Sequence, residues 1–495
     1  MPQPSITRRI RRAITSLLVR RVAREESARR APLGAEFEGL PPALWGCDID
    51  PAGRMTVQGV PLETLARDYG SPLHVVDRTR LVQNAEAFLA PFRAQYPRVS
   101  LASSYKTNPL PGVLEVLHSV GTYAEVISPF EFWLARRLGM PGERILYNGP
   151  GKTPESLREA VQAGVRLINV DGLHELPVIS RAAQESGLRQ RVGLRVVTSV
   201  GWSGQFGLSL ADGSALGAFA EMQRHPELEP VGLHLHIGTG VKDVAAYATA
   251  VEEVLRFAGT LQRNLGVTIE SFDFGGGFGV PTVRTRSAWD DRLNHHGHPA
   301  RLAIPAECPT PDDYAAALIP LIRKHCGDRE PEILLEPGRA ITSSAQVLLL
   351  KVLAVKEAGD GRRSVILDGG KNLTLPLEWE THQIFPASRM NEPEAATCDL
   401  YGPLCHPGDV LARHKRMPAP RAGDILAVMD AGAYFVPNQL NFSQPRPAIV
   451  LIEGRHVRCL RERERFEDIV RLDECVRTDA GSRAASPVVF PPGAT

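Results

Sequence analysis

The sequence predicts a protein of the α/β class: a (β/α)8 barrel followed by a C-terminal β domain. Two observations carry the barrel. Between residues 72 and 345 short apolar runs alternate with stretches of helical period, and eight such runs occur in roughly 270 residues. The runs are Val99 to Ala102, Ala124 to Ile127, Ile145 to Tyr147, Leu167 to Val170, Val192 to Val197, Val231 to Ile237, Ser271 to Phe274 and Ile333 to Leu335. A doubly wound open sheet is the alternative. The third observation is a change of texture after residue 345, to pieces such as "RSVILDGG", "GDILAVMDAGAYF" and "RPAIVLIEGRHVRCLR", which predicts a domain of short strands over residues 346–475.

In chain order, residues 1–36 form a basic extension. Nine arginines stand among the first 31 residues against Glu25 and Glu26, and Ile6, Ile10, Ile14, Leu17, Leu18 and Val22 recur at helical spacing. This pattern leaves open a frayed solvated helix, a helix docked to an acidic partner, carrier protein or membrane surface, and an organelle transit peptide. Residues 37–71 carry short strand-like pieces expected to join the β domain, with a helix ending at Gly70. Leu73 to Val76 then reads as the first strand of the barrel segment, and residues 476–495 as a tail.

The totals narrow the function. A chain of 495 residues with 43% hydrophobic and 23% charged content is that of a globular protein too long for one ordinary core. A formal net charge of +1 gives no field for nucleic acid, so small-molecule chemistry is the default. The seven cysteines show no metal-ligand spacing, and their odd number argues against a disulfide framework, which suggests a reducing cytoplasm.

The first barrel run ends in Ser104-Tyr105-Lys106-Thr107-Asn108, which puts one amine at a strand-to-loop junction, where a parallel barrel carries its chemistry. Far along the chain stand His236, the run Gly275-Gly276-Gly277, Glu336 with Arg339, Cys405 and Tyr434. Together these suit pyridoxal 5'-phosphate, which needs a Schiff-base lysine, a phosphate cup and a charge at the pyridine nitrogen. In "DFGGGFG" three residues without side chains let successive backbone N–H groups close around a phosphate. His234 and His236 alternate on one strand and point the same way, but no metal is expected without nearby carboxylates.

Taken in this order, the motifs resemble the fold-type III pyridoxal phosphate-dependent decarboxylases, the family of diaminopimelate, ornithine and arginine decarboxylases, over roughly residues 40 to 455. The resemblance implies a barrel of the alanine racemase-like type with Lys106, His236 and Cys405 catalytic. Lys106 would hold the cofactor, its amine depressed in pKa by burial and nearby cations. It further implies that Glu336 faces the pyridine nitrogen, that Arg339 and Tyr434 hold the phosphate, and that His236 stacks on the ring. Thr239 would bond near the phosphate and Arg195 would lie near the ring, with Glu125, Ser128 and Glu131 as an acidic loop beside the lysine. Cys405 in "GPLC" would cross a homodimer interface into the partner's active site and donate a proton after CO2 leaves.

Three departures bear on the substrate. His406 stands where the family has an acid, Leu375-Pro376-Leu377-Glu378-Trp379 replaces its RPxLY segment, and Gln205 replaces the lysine of its KFG. The groups that grip a distal amino-acid head are therefore not retained, which predicts a decarboxylase for another amino acid or an amino-acid conjugate. Diaminopimelate decarboxylation itself, racemisation and a non-catalytic cofactor-binding role are the alternatives; Glu336 speaks against racemisation, because related racemases place an arginine there.

Overall fold

The structure, a computed structural model, describes residues 6–34, 36–357, 359 and 361–473. Eight strands form the barrel: β1 (Val99–Ser104), β2 (Tyr123–Val126), β3 (Ile145–Tyr147), β4 (Leu167–Val170), β5 (Gln190–Val197), β6 (Leu228–His234), β7 (Ser271–Asp273) and β8 (Glu332–Leu335). All neighbours are parallel in the order β5-β6-β7-β8-β1-β2-β3-β4, and pairing of Ile168 with Val192 closes β4 onto β5. Closure excludes the open doubly wound sheet. The strands are buried almost throughout because helices cover the outside and side chains fill the inside, which is why they read as short continuous apolar runs.

The helices between strands start where the sequence supplies N-caps. Asp77, Ser128, Thr153, Asp243 and Thr310 each accept a backbone N–H in the first turn, and proline opens the helices at Pro129, Pro154 and Pro311. These caps fix the strand ends from which the site is built.

The strand Leu73–Asp77, which the periodicity places at the start of the barrel segment, pairs elsewhere. It lies antiparallel to the long strand Gln346–Glu357 and parallel to Ala448–Glu453, inside the sheet of the β domain. A buried run of apolar residues looks the same in either sheet, so only the pairing separates the two assignments. The earlier pieces Cys47–Ile49, Met55–Val57 and Val60–Pro61 form a small antiparallel sheet of their own. They join the β domain through backbone hydrogen bonds from Met55 N–H to Ala387 O and from Met390 N–H to Gly53 O, and Met55 and Val57 share a buried apolar cluster with Val347, Leu349 and Phe385.

The basic N-terminal segment is one α-helix, Ile6–Arg30, whose second half is docked. Val19 is buried, the Arg30 guanidinium donates to the carbonyls of Glu38, Leu302 and Ala303, and Arg29 pairs with Glu307. Ile14, Leu17 and Leu18 face outward. Among the described residues no helix is long and apolar enough to cross a membrane. The expected tail at 476–495 lies outside the described residues.

Candidate active site

Every barrel strand delivers its chemistry at the same end. Lys106 follows β1 in a single 3-10 turn, and its Nζ sits 2.7 Å from Oε2 of Glu125 on β2. The same oxygen accepts from Ser104 Oγ at 2.6 Å. Asn148, just past β3, donates through Nδ2 to both Glu125 and Glu336, at 3.1 and 2.6 Å, and Asn169 on β4 in turn donates to Asn148. His234, Asp273 and Glu336, from β6, β7 and the end of β8, bring ligand-type atoms within 4.8 Å of one another, all buried. Three buried carboxylates thus share one hydrogen-bonded network beneath a single lysine.

The charge balance of that network is lopsided. Burial pushes the Glu336 carboxyl well above the carboxylate range, and Asp273 and Glu125 push it further. Asp273 is raised to about 7, chiefly by burial. Burial by itself would lower Lys106, but Glu125, Glu336 and Tyr434 outweigh it and hold the amine above the usual lysine range. The expected depression of Lys106 is therefore reversed, because its close neighbours are acids. His234 and His236 are both driven toward the neutral form by burial, His236 to about 3, and neither ring nitrogen of His234 has a hydrogen-bond partner. A buried acid cluster in excess of its cations fits a group that brings a protonated ring nitrogen, as pyridoxal phosphate does.

The glycine run also fits it. A Cβ at Gly275, Gly276 or Gly277 would fall 2.3, 2.1 or 2.0 Å from the carbonyl oxygens of Leu235, Glu336 and Gly238, so no other residue can stand there. Phe278 anchors the turn, its ring within 5.0 Å of Phe88, Tyr247 and Tyr314, and the Tyr247 hydroxyl donates to Phe274 O. Two of the three amides already have acceptors: Gly275 N–H donates to Asp273 and Gly276 N–H to Nδ1 of His236. Gly277 is the triplet's N–H without an acceptor among the described residues, so the cup is narrower than the motif suggests.

The remaining predicted residues divide. Tyr434 comes from the β domain, held by its N–H on Thr107 O at 2.8 Å with φ of 66°, and thereby joins the lysine turn. Ser128 caps the helix Pro129–Arg137, and Glu131 on that helix accepts from Ile127 N–H; burial raises Glu131 to about 7. Arg195 lies on β5 with its guanidinium 4.1 Å from the Phe206 ring centroid and 3.8 Å from Asp171. Thr239 stands exposed in the loop after β6. Cys405 is exposed on a turn of the β domain, and no hydrogen bond of the described residues links it to the lysine pocket. Gln205 and Trp379 are exposed as well.

Arg339 departs most from expectation. Its fork closes on Glu380, with Nη1 2.9 Å from Oε2 and Nη2 on Oε1, while His382 Nε2 lies 3.1 Å from the same carboxylate. The Tyr434 ring centroid is 5.1 Å from the guanidinium carbon. Both ends of the fork that would grip a phosphate are committed to a carboxylate. Asn148, Asp273, Glu380 and His382 are the residues the sequence reading missed. Asp273 stands two residues before the glycine run, and Glu380 and His382 alternate in "ETH", a spacing that puts both on one face of a strand.

Comparison with known proteins agrees with this geometry. Residues 83–343 match the pyridoxal-binding domain of the pyridoxal-dependent decarboxylases. Diaminopimelate decarboxylase of Methanothermobacter thermautotrophicus is 33% identical, covering 86% of this chain and 96% of its own length, and that of Aquifex aeolicus is 30% identical, covering 84% and 95%. The crystal structure of diaminopimelate decarboxylase from M. jannaschii superimposes with a TM-score of 0.77 at 27% identity, covering 86% of this chain and 97% of the other. The fold, the carboxylate-linked lysine and these relatives together place the chain in the family of pyridoxal-dependent decarboxylases.

Proposed function

We propose that this chain removes the α-carboxylate of an amino acid or amino-acid conjugate at the mouth of its barrel, with Lys106 as the residue that anchors the cofactor. The observation that carries the assignment is the Lys106–Glu125 contact at 2.7 Å, tied through Asn148 to Glu336. Pyridoxal 5'-phosphate, when bound, supplies the electron sink for the pair left by departing CO2. Glu336, steadied by Asn148, is the carboxylate for its ring nitrogen. His236 offers a ring face, while the Gly277 N–H and the hydroxyls of Thr239 and Tyr434 are the donors for its phosphate. Glu125 holds Lys106 in place and accepts its proton hydrogen bond, so the amine has a fixed position at the strand end.

The test is CO2 release by the cofactor-loaded protein from a panel of α-amino acids. At least one is expected to reach a kcat/KM above about 10⁴ M⁻¹s⁻¹, in the ordinary range for enzymes on their own substrates. No CO2 from any member of a broad panel would overturn the reading.

The exposed turn bearing Cys405 supports a homodimer in which each site borrows this cysteine as the proton donor to Cα. Mixing inactive Lys106→Ala subunits with inactive Cys405→Ala subunits is expected to restore activity, because one of the two composite sites in each heterodimer regains both residues. Verified subunit exchange without recovery would separate Cys405 from the reaction. The site chemistry and cysteine usage support a cytoplasmic enzyme.

A further inference from the structure

We propose that the N-terminal helix Ile6–Arg30 is a docking surface for an anionic membrane, on which the protein rests through the outward face of Ile14, Leu17 and Leu18 and the arginines beside it. The inference stands apart from the decarboxylase reading, since none of these side chains belongs to the Lys106 network.

The two sides of this helix have different work. On the inner side Val19 is buried, and the Arg30 guanidinium is fixed by the carbonyls of Glu38, Leu302 and Ala303. Spacings of three and four residues put Ile14, Leu17 and Leu18 on one stripe roughly opposite Val19, and they are 53, 65 and 44% exposed. The same stripe runs on one turn later as Arg21 and Arg24, with Arg20 at its edge, all three exposed. Arg21 pairs with Glu25 at 2.7 Å on the open surface, whereas Arg20 and Arg24 pair with no carboxylate of the described residues. The sequence repeats the pattern upstream, with Ile6 and Ile10 at helical spacing among Arg8, Arg9, Arg11 and Arg12. Seven arginines and no acid therefore stand in the first 24 residues.

These features choose the occupant. A row of seven cations without an acid repels a second copy of the same helix and matches a negatively charged plane. The apolar side chains stand on the ridge of the helix, where they suit a soft phase that closes around them. Among the described residues no helix is long and apolar enough to cross a membrane, so the contact is a surface one: the leucines and isoleucine enter the headgroup region while the arginines meet lipid phosphates. Three apolar side chains insert weakly by themselves. Binding therefore needs both parts of the face and weakens as salt screens the charges.

The experiment sediments the cofactor-loaded full-length protein with vesicles of phosphatidylcholine alone and with vesicles of phosphatidylcholine and phosphatidylglycerol in equal parts, at low and high salt. Binding to the anionic vesicles is expected to exceed that to the neutral ones by at least about tenfold at low salt and to fall at high salt. Leu17→Glu/Leu18→Glu and Arg20→Gln/Arg21→Gln are each expected to lower it by about tenfold, with melting temperature and CO2 release unchanged. Equal binding to both kinds of vesicle, or anionic binding that survives either double variant, would overturn the proposal. Light scattering without lipid adds a further check: a mass that drops in Leu17→Glu/Leu18→Glu would give the face to a second copy of the chain. Tighter binding to soluble polyglutamate than to the anionic vesicles would give it to an acidic protein, and either result would equally overturn the membrane assignment.

Discussion

Lys106→Ala is expected to lower decarboxylation by at least about four orders of magnitude, roughly 5.4 kcal/mol of barrier, because among the described residues Lys106 supplies the amine of the network of Glu125, Asn148 and Glu336. The fold should survive. Glu125 keeps its hydrogen bonds from Ser104 and Asn148, so removal of the ammonium does not leave a bare buried carboxylate. Borohydride reduction of the cofactor-loaded wild type followed by peptide mapping should place the label on Lys106. Label on Lys152 or Lys242 instead would transfer the role to that residue.

The second large effect belongs to Glu336→Gln. A carboxylate about 4 Å from a cationic ring nitrogen, at an effective dielectric near 20, is worth about 4 kcal/mol to the protonated ring. Glutamine keeps the acceptor that Asn148 uses at 2.6 Å but not the charge. Decarboxylation is therefore expected to slow by about a hundredfold or more, about 3 kcal/mol, while the cofactor stays bound through the glycine run and the hydroxyl donors. Absorbance of the bound cofactor and single-turnover CO2 release separate the two. Equal rates for variant and wild type would remove Glu336 from the chemistry.

How much of this was legible differs by kind of residue. The eight barrel strands could be read because each is a short apolar run bounded by turn residues, and the barrel repeats that signal at regular spacing. Lys106, Glu336 and the glycine run could be read because each sits within a few residues of a strand end, where position along the chain predicts position in space. Arg339 shows the limit. It lies just past β8, but its partner is Glu380, 41 residues later, brought by a two-residue pairing of Glu380–Thr381 with Arg284–Thr285 that leaves no periodic trace. The same holds for the Lys106 amine: burial was foreseeable from the strand, whereas Glu125, Glu336 and Tyr434, which reverse its shift, arrive from β2, the end of β8 and the β domain.

The seating of Leu73–Asp77 has a consequence for how the molecule comes into being. Its neighbours on the two sides, Gln346–Glu357 and Ala448–Glu453, lie about 270 and 375 residues further along the chain. Contacts so distant are slow to close, because chain entropy is lost before any pairing is gained. During synthesis the barrel from Arg78 to Thr342 is complete on the ribosome while this strand still waits for both partners. Until then it carries the buried side chains of Leu73, Val75 and Val76 on an unpaired edge, the part of a nascent chain that chaperones recognise and that strands of other molecules can capture. A strand made near the end of the chain thus seals one made near its start.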